Sequence, residues 1–255
     1  MNVPHEQSPG LIAMPDVRHA FFGREGGLST GLFSSLNLSE SVGDEPAVVD
    51  DNRKLVTAAL GLEPHRLALL KQTHSARVVT LTGPHSGPRI EADALVTART
   101  GIALGILTAD CTPILLADPL AGVIGAVHAG WRGAADNIIG TAVQAMVELG
   151  AEPPRMVAAI GPTISGANYE VGEQFMANFL ALHPDSDHRF SQPRDGKAHF
   201  DLPGFVADQL QAAGIHTVDK VGGCTYADPQ RYFSHRFATH AGTRTGRQIA
   251  IIALG

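Results

Sequence analysis

The sequence predicts an α+β fold in which mixed β-sheets are covered by helices. Residues 101–130 hold three short apolar runs, "GIALGILTAD", "PILLADP" and "GVIGAVHAG", separated by turn residues. Continuous runs of that length suit strands buried on both faces. After Trp131 the apolar period becomes helical, with Ile138, Ala142, Met146 and Leu149 recurring and Gly150 as a stop. The strand-like and helix-like segments do not alternate regularly, so a doubly wound α/β order is not expected.

The elements follow in order. "DEPAVVDDNRKLVTAALG" reads as a helix with Asp44 as N-cap, Gly61 as stop, and Val48, Asn52, Leu55 and Ala59 on one face. "LALLKQTH" and "ARVVTLTG" read as a strand pair around His74. The three runs of residues 101–130 and then the helix after Trp131 follow. "MVAAIGP" reads as a strand. "EVGEQFMANFLALHP" and "LPGFVADQLQAAG" read as helices, the second with Pro203 in its first turn. "HTVDKVGG" and "RQIAIIALG" close the chain as strands. No internal repeat, linker or low-complexity tract interrupts this order.

Composition narrows the class. The 255 residues are 44% hydrophobic and 17% charged, enough apolar material for a sizeable core. A formal net charge of -6 with no basic cluster argues against a nucleic-acid partner. Two cysteines, Cys111 and Cys224, make no disulfide framework and fit a reducing, cytoplasmic setting. The first residues lack the basic and apolar regions of a secretory signal. No run of about 18 apolar residues suggests a membrane span. Neither a P-loop nor a dinucleotide-binding glycine motif occurs.

His74, Cys111 and His128 each stand at the end or edge of an expected strand. A thiolate and two imidazoles make a good set of zinc ligands, and three protein ligands leave a fourth position open. The same residues suit a Cys/His hydrolase with Cys111 as nucleophile and a histidine as base. They also suit plain core packing of a cysteine and two hydrogen-bonded histidines. Asp110 and Asp93 stand ready to orient a histidine, activate water or bind a sugar hydroxyl, or simply to satisfy turn amides, as Asp118 would. Arg24, among glycines, suits an anion such as phosphate, or equally a glycine-rich turn with a solvated arginine, and Asn37 and Ser39 follow in similar terms. His235, Arg236, Arg244 and Arg247 form a polar run that borders a cleft or is surface charge. Cys224 reads as a packing residue. No H-x-H pair occurs, and the histidine supply is too small for a multicopper site.

The segments "FFGREGGLSTGLFSSLNLSESVGDEPAVVDDNRKLV", "LKQTHSARV", "ADALVT", "GILTADCTPILLADP", "GAVHAGWRG", "AIGPTISGANYEVG" and "FSHR" with "TGRQIAII" resemble the YfiH family, also called the laccase-domain or polyphenol oxidase family. That family includes purine nucleoside phosphorylases and the peptidoglycan editing factor. The likeness runs from about Val17 to the C-terminus, leaving residues 1–16 as an extension expected to be poorly ordered. It implies one α+β domain with two packed sheets in an α/β/β/α arrangement. It implies a zinc site at His74, Cys111 and His128, with copper as a substitute metal. Asp93 joins these as a catalytic candidate, and Arg24, Asn37, Gln72, Asp110 and Arg236 are the substrate-binding candidates. The implied reactions are phosphorolysis of adenosine, inosine and S-methyl-5'-thioadenosine, and deamination of adenosine, with purine nucleosides and phosphate as partners. The rival within the family is removal of L-serine from a muramyl precursor; outside it stands a non-catalytic zinc-binding module. One segment departs from the family, which often carries cysteines before "YEVG"; here Thr163, Ala167 and Asn168 occupy it.

Overall fold

The computed structural model describes residues 3–85, 87–192 and 196–255. Its strands in chain order are β1 (His5–Glu6), β2 (Val17–Phe22), β3 (Leu67–Leu69), β4 (Val78–Thr80), β5 (Ala94–Thr97), β6 (Ala103–Thr108) and β7 (Thr112–Asp118). They continue with β8 (Val123–Ala129), β9 (Val157–Ile160), β10 (Glu170–Val171), β11 (Phe190–Ser191), β12 (Ala198–Phe200), β13 (Thr217–Lys220) and β14 (Gln248–Leu254). The α-helices are α1 (Pro9–Ile12), α2 (Pro46–Ala59), α3 (Trp131–Ala135), α4 (Ile138–Glu148), α5 (Glu173–Leu182), α6 (Leu202–Ala212) and α7 (His235–His240). A five-stranded sheet runs β1-β2-β14-β6-β3, and a six-stranded sheet runs β13-β9-β7-β8-β5-β4. Both are mixed: β3 pairs parallel with β6, β4 with β5 and β13 with β9, and the remaining pairs are antiparallel.

Side-chain alternation along the central strands builds the layers. In β14, Ala250, Ile252 and Leu254 face the space between the two sheets, where they meet Leu104, Ile106, Leu115 and Ile124. Ile249, Ile251 and Ala253 face the other way and pack with Val56 of α2. In β7, Ile114 and Leu116 face outward, onto α4 and α6 residues such as Ile139, Met146, Phe205 and Val206. The order is therefore helix, sheet, sheet, helix, as the resemblance implied. Among the described residues no helix is long and apolar enough to cross a membrane.

Several local expectations are corrected. Residues 67–83 do not form a strand pair. β3 belongs to the five-stranded sheet and β4 to the six-stranded one, so the segment between them crosses from one sheet to the other. Helix α2 begins one turn-residue later than expected: Glu45 is its N-cap, while the Asp44 carboxylate accepts from Ser29, Asn37 and the Glu45 amide. Its buried face is Val49, Asn52, Val56 and Thr57. Asn52 turns inward because its amide ties three loop groups, Leu28 N, Ser29 Oγ and Asn37 O. Residues 3–16 are not a loose extension. β1 pairs with β2, α1 carries the fully buried Leu11 between the layers, and Val3 is buried against the outer face. Residues 1–2 lie outside the described residues.

Candidate metal centre

Three connections meet at one end of the sandwich. His74 lies in the crossover from β3 to β4, and Cys111 in the tight crossover from β6 to β7. His128 stands near the end of β8, opposite Pro113 in the register of β7. The turns are sharp: His74 has φ 60° and Asp110 φ 90°, left-handed conformations that side chains other than glycine seldom adopt. Hydrogen bonds hold both. Asp110 Oδ1 accepts from Thr225 Oγ1 at 2.7 Å and Oδ2 from the Arg236 amide at 2.6 Å.

Asp93 fixes the histidines. It is fully buried just before β5, and its carboxylate accepts from the amides of Thr73, His74 and Ser75 and from the Ser75 hydroxyl, at 2.7–3.2 Å. It also accepts from His128 Nδ1 at 2.8 Å. One carboxylate thus shapes the loop that carries His74 and sets the tautomer of His128, freeing Nε2 of His128 for another partner. Burial opposes ionisation of Asp93, but the bonds from His128 and Ser75 override it and hold the carboxyl far below its usual range.

One donor atom each from His74, Cys111 and His128 lies within 4.8 Å of the others. Cys111 Sγ is 3.7 Å from His74 Nε2. Sulfur and nitrogen bound to one tetrahedral zinc stand roughly 3.5 Å apart, given ordinary bond lengths of ~2.3 and ~2.0 Å. The donor set therefore fits a metal ion in spacing and in chemistry. Without a metal, burial disfavours the Cys111 thiolate, yet His128 and His74 outweigh it and bring the thiol down to about 6. Burial likewise opposes the His128 cation, while Cys111 and Asp93 raise it to about 9. A site that favours a thiolate has already met one requirement of metal binding. Gly130 leaves room for the group: a Cβ there would stand 2.6 Å from His74 Cδ2 and 3.1 Å from Cys111 Sγ.

A model of the family described as multi-copper polyphenol oxidoreductase laccase matches residues 18–255. The chain belongs to this laccase-like family. A curated relative from Deinococcus radiodurans, named purine nucleoside phosphorylase, is 44% identical over 97% of this chain and 94% of its own. The crystal structure of YlmD from Geobacillus stearothermophilus is 28% identical, with a TM-score of 0.88 over 100% of this chain and 97% of that one. Neisseria meningitidis protein NMB0706 gives 32% identity and a TM-score of 0.85 over 100% and 99%. Laccase-like members are named for copper, yet among the described residues of this one the group His74, Cys111 and His128 stands alone as a possible metal site.

Two cavities open on the group. The larger, about 510 Å³, is bordered by Ser39, Ser41, Gln72, Arg89, His235 and Arg247 as well as by the three donors. The smaller, about 200 Å³, is bordered by Asp110, Trp131, Tyr169, His235 and Arg236, with His74 and Cys111 on the shared wall. Gln72 is held in place by exchanging both of its amide hydrogen bonds with Leu107, at 2.7 and 2.9 Å. Arg236 reaches the smaller cavity, with its guanidinium over the Tyr169 ring and a bond to the Glu170 carbonyl.

Two expected substrate contacts are not brought here. Arg24 borders neither cavity: its guanidinium donates to the carbonyls of Ser34 and Pro229 and lies 4.6 Å over the Phe233 ring. Glycines beside it serve close loop packing, not an anion; a Cβ at Gly27 would strike the Ser35 carbonyl at 2.3 Å. Asn37 is fully buried and joins Ser39, Asp44 and the Arg247 amide, so it positions the wall without touching the cavity. Arg89 lies in a loop outside every quoted motif and reaches the site only through tertiary packing; Tyr169 lies in the "YEVG" segment, but nothing in the sequence marks it as bordering a cavity.

Proposed function

We propose that the protein is a zinc-dependent purine nucleoside phosphorylase acting on adenosine, inosine and S-methyl-5'-thioadenosine, and that it also deaminates adenosine. The observation that carries this reading is the His74–Cys111–His128 group between two cavities of different chemistry, in a chain whose curated relatives bear the phosphorylase name. The setting we infer is the cytoplasm.

In phosphorolysis the bond between the sugar C1′ and the purine nitrogen breaks, and a phosphate oxygen bonds to C1′. The electron pair leaves with the base, and the proton of hydrogen phosphate ends on it. The products are the free purine and ribose 1-phosphate, or the 5-methylthioribose 1-phosphate when the substrate is S-methyl-5'-thioadenosine. The sugar gains oxocarbenium character as the base departs, so a bound anion on one side and a polar wall on the other lower the barrier.

His74, Cys111 and His128 would hold the ion, which supplies a Lewis-acidic centre when bound. Asp93 keeps the His128 Nδ1 proton in place and shapes the His74 loop. Tyr169 and Trp131 border the smaller cavity and add aromatic surface for a planar base. Arg236, anchored through Glu170 and Tyr169, supplies donors on the same side.

The test is incubation of the purified, zinc-loaded protein with adenosine or inosine, with and without phosphate, followed by product identification. Phosphate-dependent release of free base with ribose 1-phosphate is expected. Inertness towards every purine nucleoside, or release of serine from a muramyl precursor instead, would sink the reading.

A further inference from the structure

The two cavities differ in what they leave unbalanced. Among the described residues no aspartate or glutamate borders the larger one, and Lys71 at its rim is paired with Glu91 at 2.8 Å. Two guanidiniums remain. Arg247 is half-buried, and no carboxylate among the described residues pairs with it; its Nη1 donates to the carbonyls of Thr245 and Gly246. Arg89 has one carboxylate nearby, Glu40 at 3.6 Å, and Glu40 is already bonded to Arg53. Burial lowers both arginines' affinity for their protons, the mark of charge removed from water without full compensation. Desolvated guanidiniums with free donors on a cavity wall suit a tetrahedral oxyanion, which can accept paired N–H bonds from them. Ser39 and Ser41 add hydroxyls on the same wall. The smaller cavity has the opposite character. Beside its arginine, Arg236, which donates to the Glu170 carbonyl and lies over the Tyr169 ring, stands an acid, Asp110, and Trp131 and Tyr169 add aromatic surface.

The geometry points to Arg247 and Arg89 as the binding site for inorganic phosphate, in the larger cavity on the side of the cysteine–histidine group away from Trp131 and Tyr169. This assignment rests on the phosphorolysis reading and deepens it. It puts the attacking oxyanion and the departing base in separate chambers that share the wall formed by His74, Cys111 and His235. It also replaces Arg24, whose donors are occupied by backbone. The Asn37 side-chain oxygen Oδ1 accepts from the Arg247 amide at 2.9 Å and so fixes the backbone just before β14, where the guanidinium stands.

The experiment titrates inorganic phosphate into zinc-loaded full-length protein and follows binding by phosphorus-31 line broadening, alongside the KM for phosphate. Arg247→Gln and Arg89→Gln are compared with Tyr169→Leu, and each variant is checked for retained zinc and a cooperative melt. Arg89 is partly exposed, so its variant keeps the test alive if loss of the Arg247 anchors impairs folding. Each arginine variant is expected to weaken phosphate at least about tenfold, and Tyr169→Leu to change it by less than about twofold. Unchanged phosphate affinity in the folded arginine variants overturns the assignment. So does absence of phosphate binding in the parent protein, or selective binding of adenosine 5′-monophosphate in its place. Phosphate that binds through both arginines without ribose 1-phosphate ever forming would instead remove the phosphorolysis reading and leave the site standing.

Discussion

At the scale of single residues, Cys111 is the decisive group, because it alone brings a negative charge to the donor set. Cys111→Ala is expected to lose both metal and activity, while His74→Ala or His128→Ala, losing one neutral imidazole, weakens metal binding and costs at least about tenfold in activity. Metal analysis beside thermal melts checks this, since all three variants should still unfold cooperatively. Stoichiometric zinc in the cysteine variant would end the assignment. Gly130→Ala tests the packing of the same site without touching a donor. Its methyl meets His74 at 2.6 Å and the sulfur at 3.1 Å, so zinc affinity should fall by at least about tenfold while the melt moves little. A competition titration with a chelator reads it. His74, Cys111 and His128 stand out in the sequence because each punctuates the end of an apolar run, but that position suits a hydrolase or plain packing as well, and only the family resemblance joins them as a metal set. Arg89 was not legible, because nothing local marks a lone arginine in a polar loop as facing a cavity. Arg24 misled for the converse reason: glycines around an arginine look the same whether they make room for an anion or for a neighbouring backbone.

Among the elements, the buried strands were the easiest to read. β6, β7, β8 and β14 are apolar apart from Thr108, Thr112, Asp118, His128 and Gln248 at or next to their ends, and every residue in them is buried. Pairing was harder. The runs at 67–74 and 76–83 have strand character, but period alone says nothing about which sheet a strand joins, and the link between them spans two layers. The small sheet of β10, β11 and β12 escaped notice because two- and three-residue strands leave no period to detect. Its strength lies elsewhere, in rings: Phe200 meets Phe179, Phe190 and Phe205 at 4.7–5.9 Å between centroids. The end of β7 is secured by Asp118, the turn aspartate the sequence suggested. It accepts from the amides of Leu120, Ala121 and Glu152 and from Arg155 at 2.8–3.1 Å. Asp118→Ala strands these donors and should cost about 3 kcal/mol in urea unfolding. A loss below about 0.5 kcal/mol, the range of ordinary surface substitutions, would show that solvent replaces the carboxylate freely.

For the whole molecule, acid sensitivity has an identifiable source away from the metal group. His19 on β2 is fully buried and accepts the Ser8 amide at 2.8 Å. Burial, with a lesser push from His5, lowers its pKa to about 4. Unfolded, the same ring titrates near 6.5, so between those values the unfolded chain binds a proton that the folded one refuses. Its stabilising effect is complete above pH ~6.5 and is lost as the pH falls towards 4, at up to about 1.4 kcal/mol per pH unit. Urea midpoints between pH 7.5 and 4.5 should show this slope, and His19→Gln, which keeps an acceptor for Ser8, should flatten it. An equally steep slope in the variant would move the cause to another group.

The short strand at His5–Glu6 covers a margin of the five-stranded sheet. β2 is six residues long, and its outer side offers hydrogen-bonding groups that β1 and the segment around it cover. Trimming the chain at Val17, where the recognisable motifs start, would uncover that row and extract Leu11 from the core in the same cut. An open, apolar strand margin invites a second chain to zip alongside it. The expected product of such a trim is a self-associating species growing edge to edge, so residues 3–16 act as a guard against such association and should be retained in any shortened version.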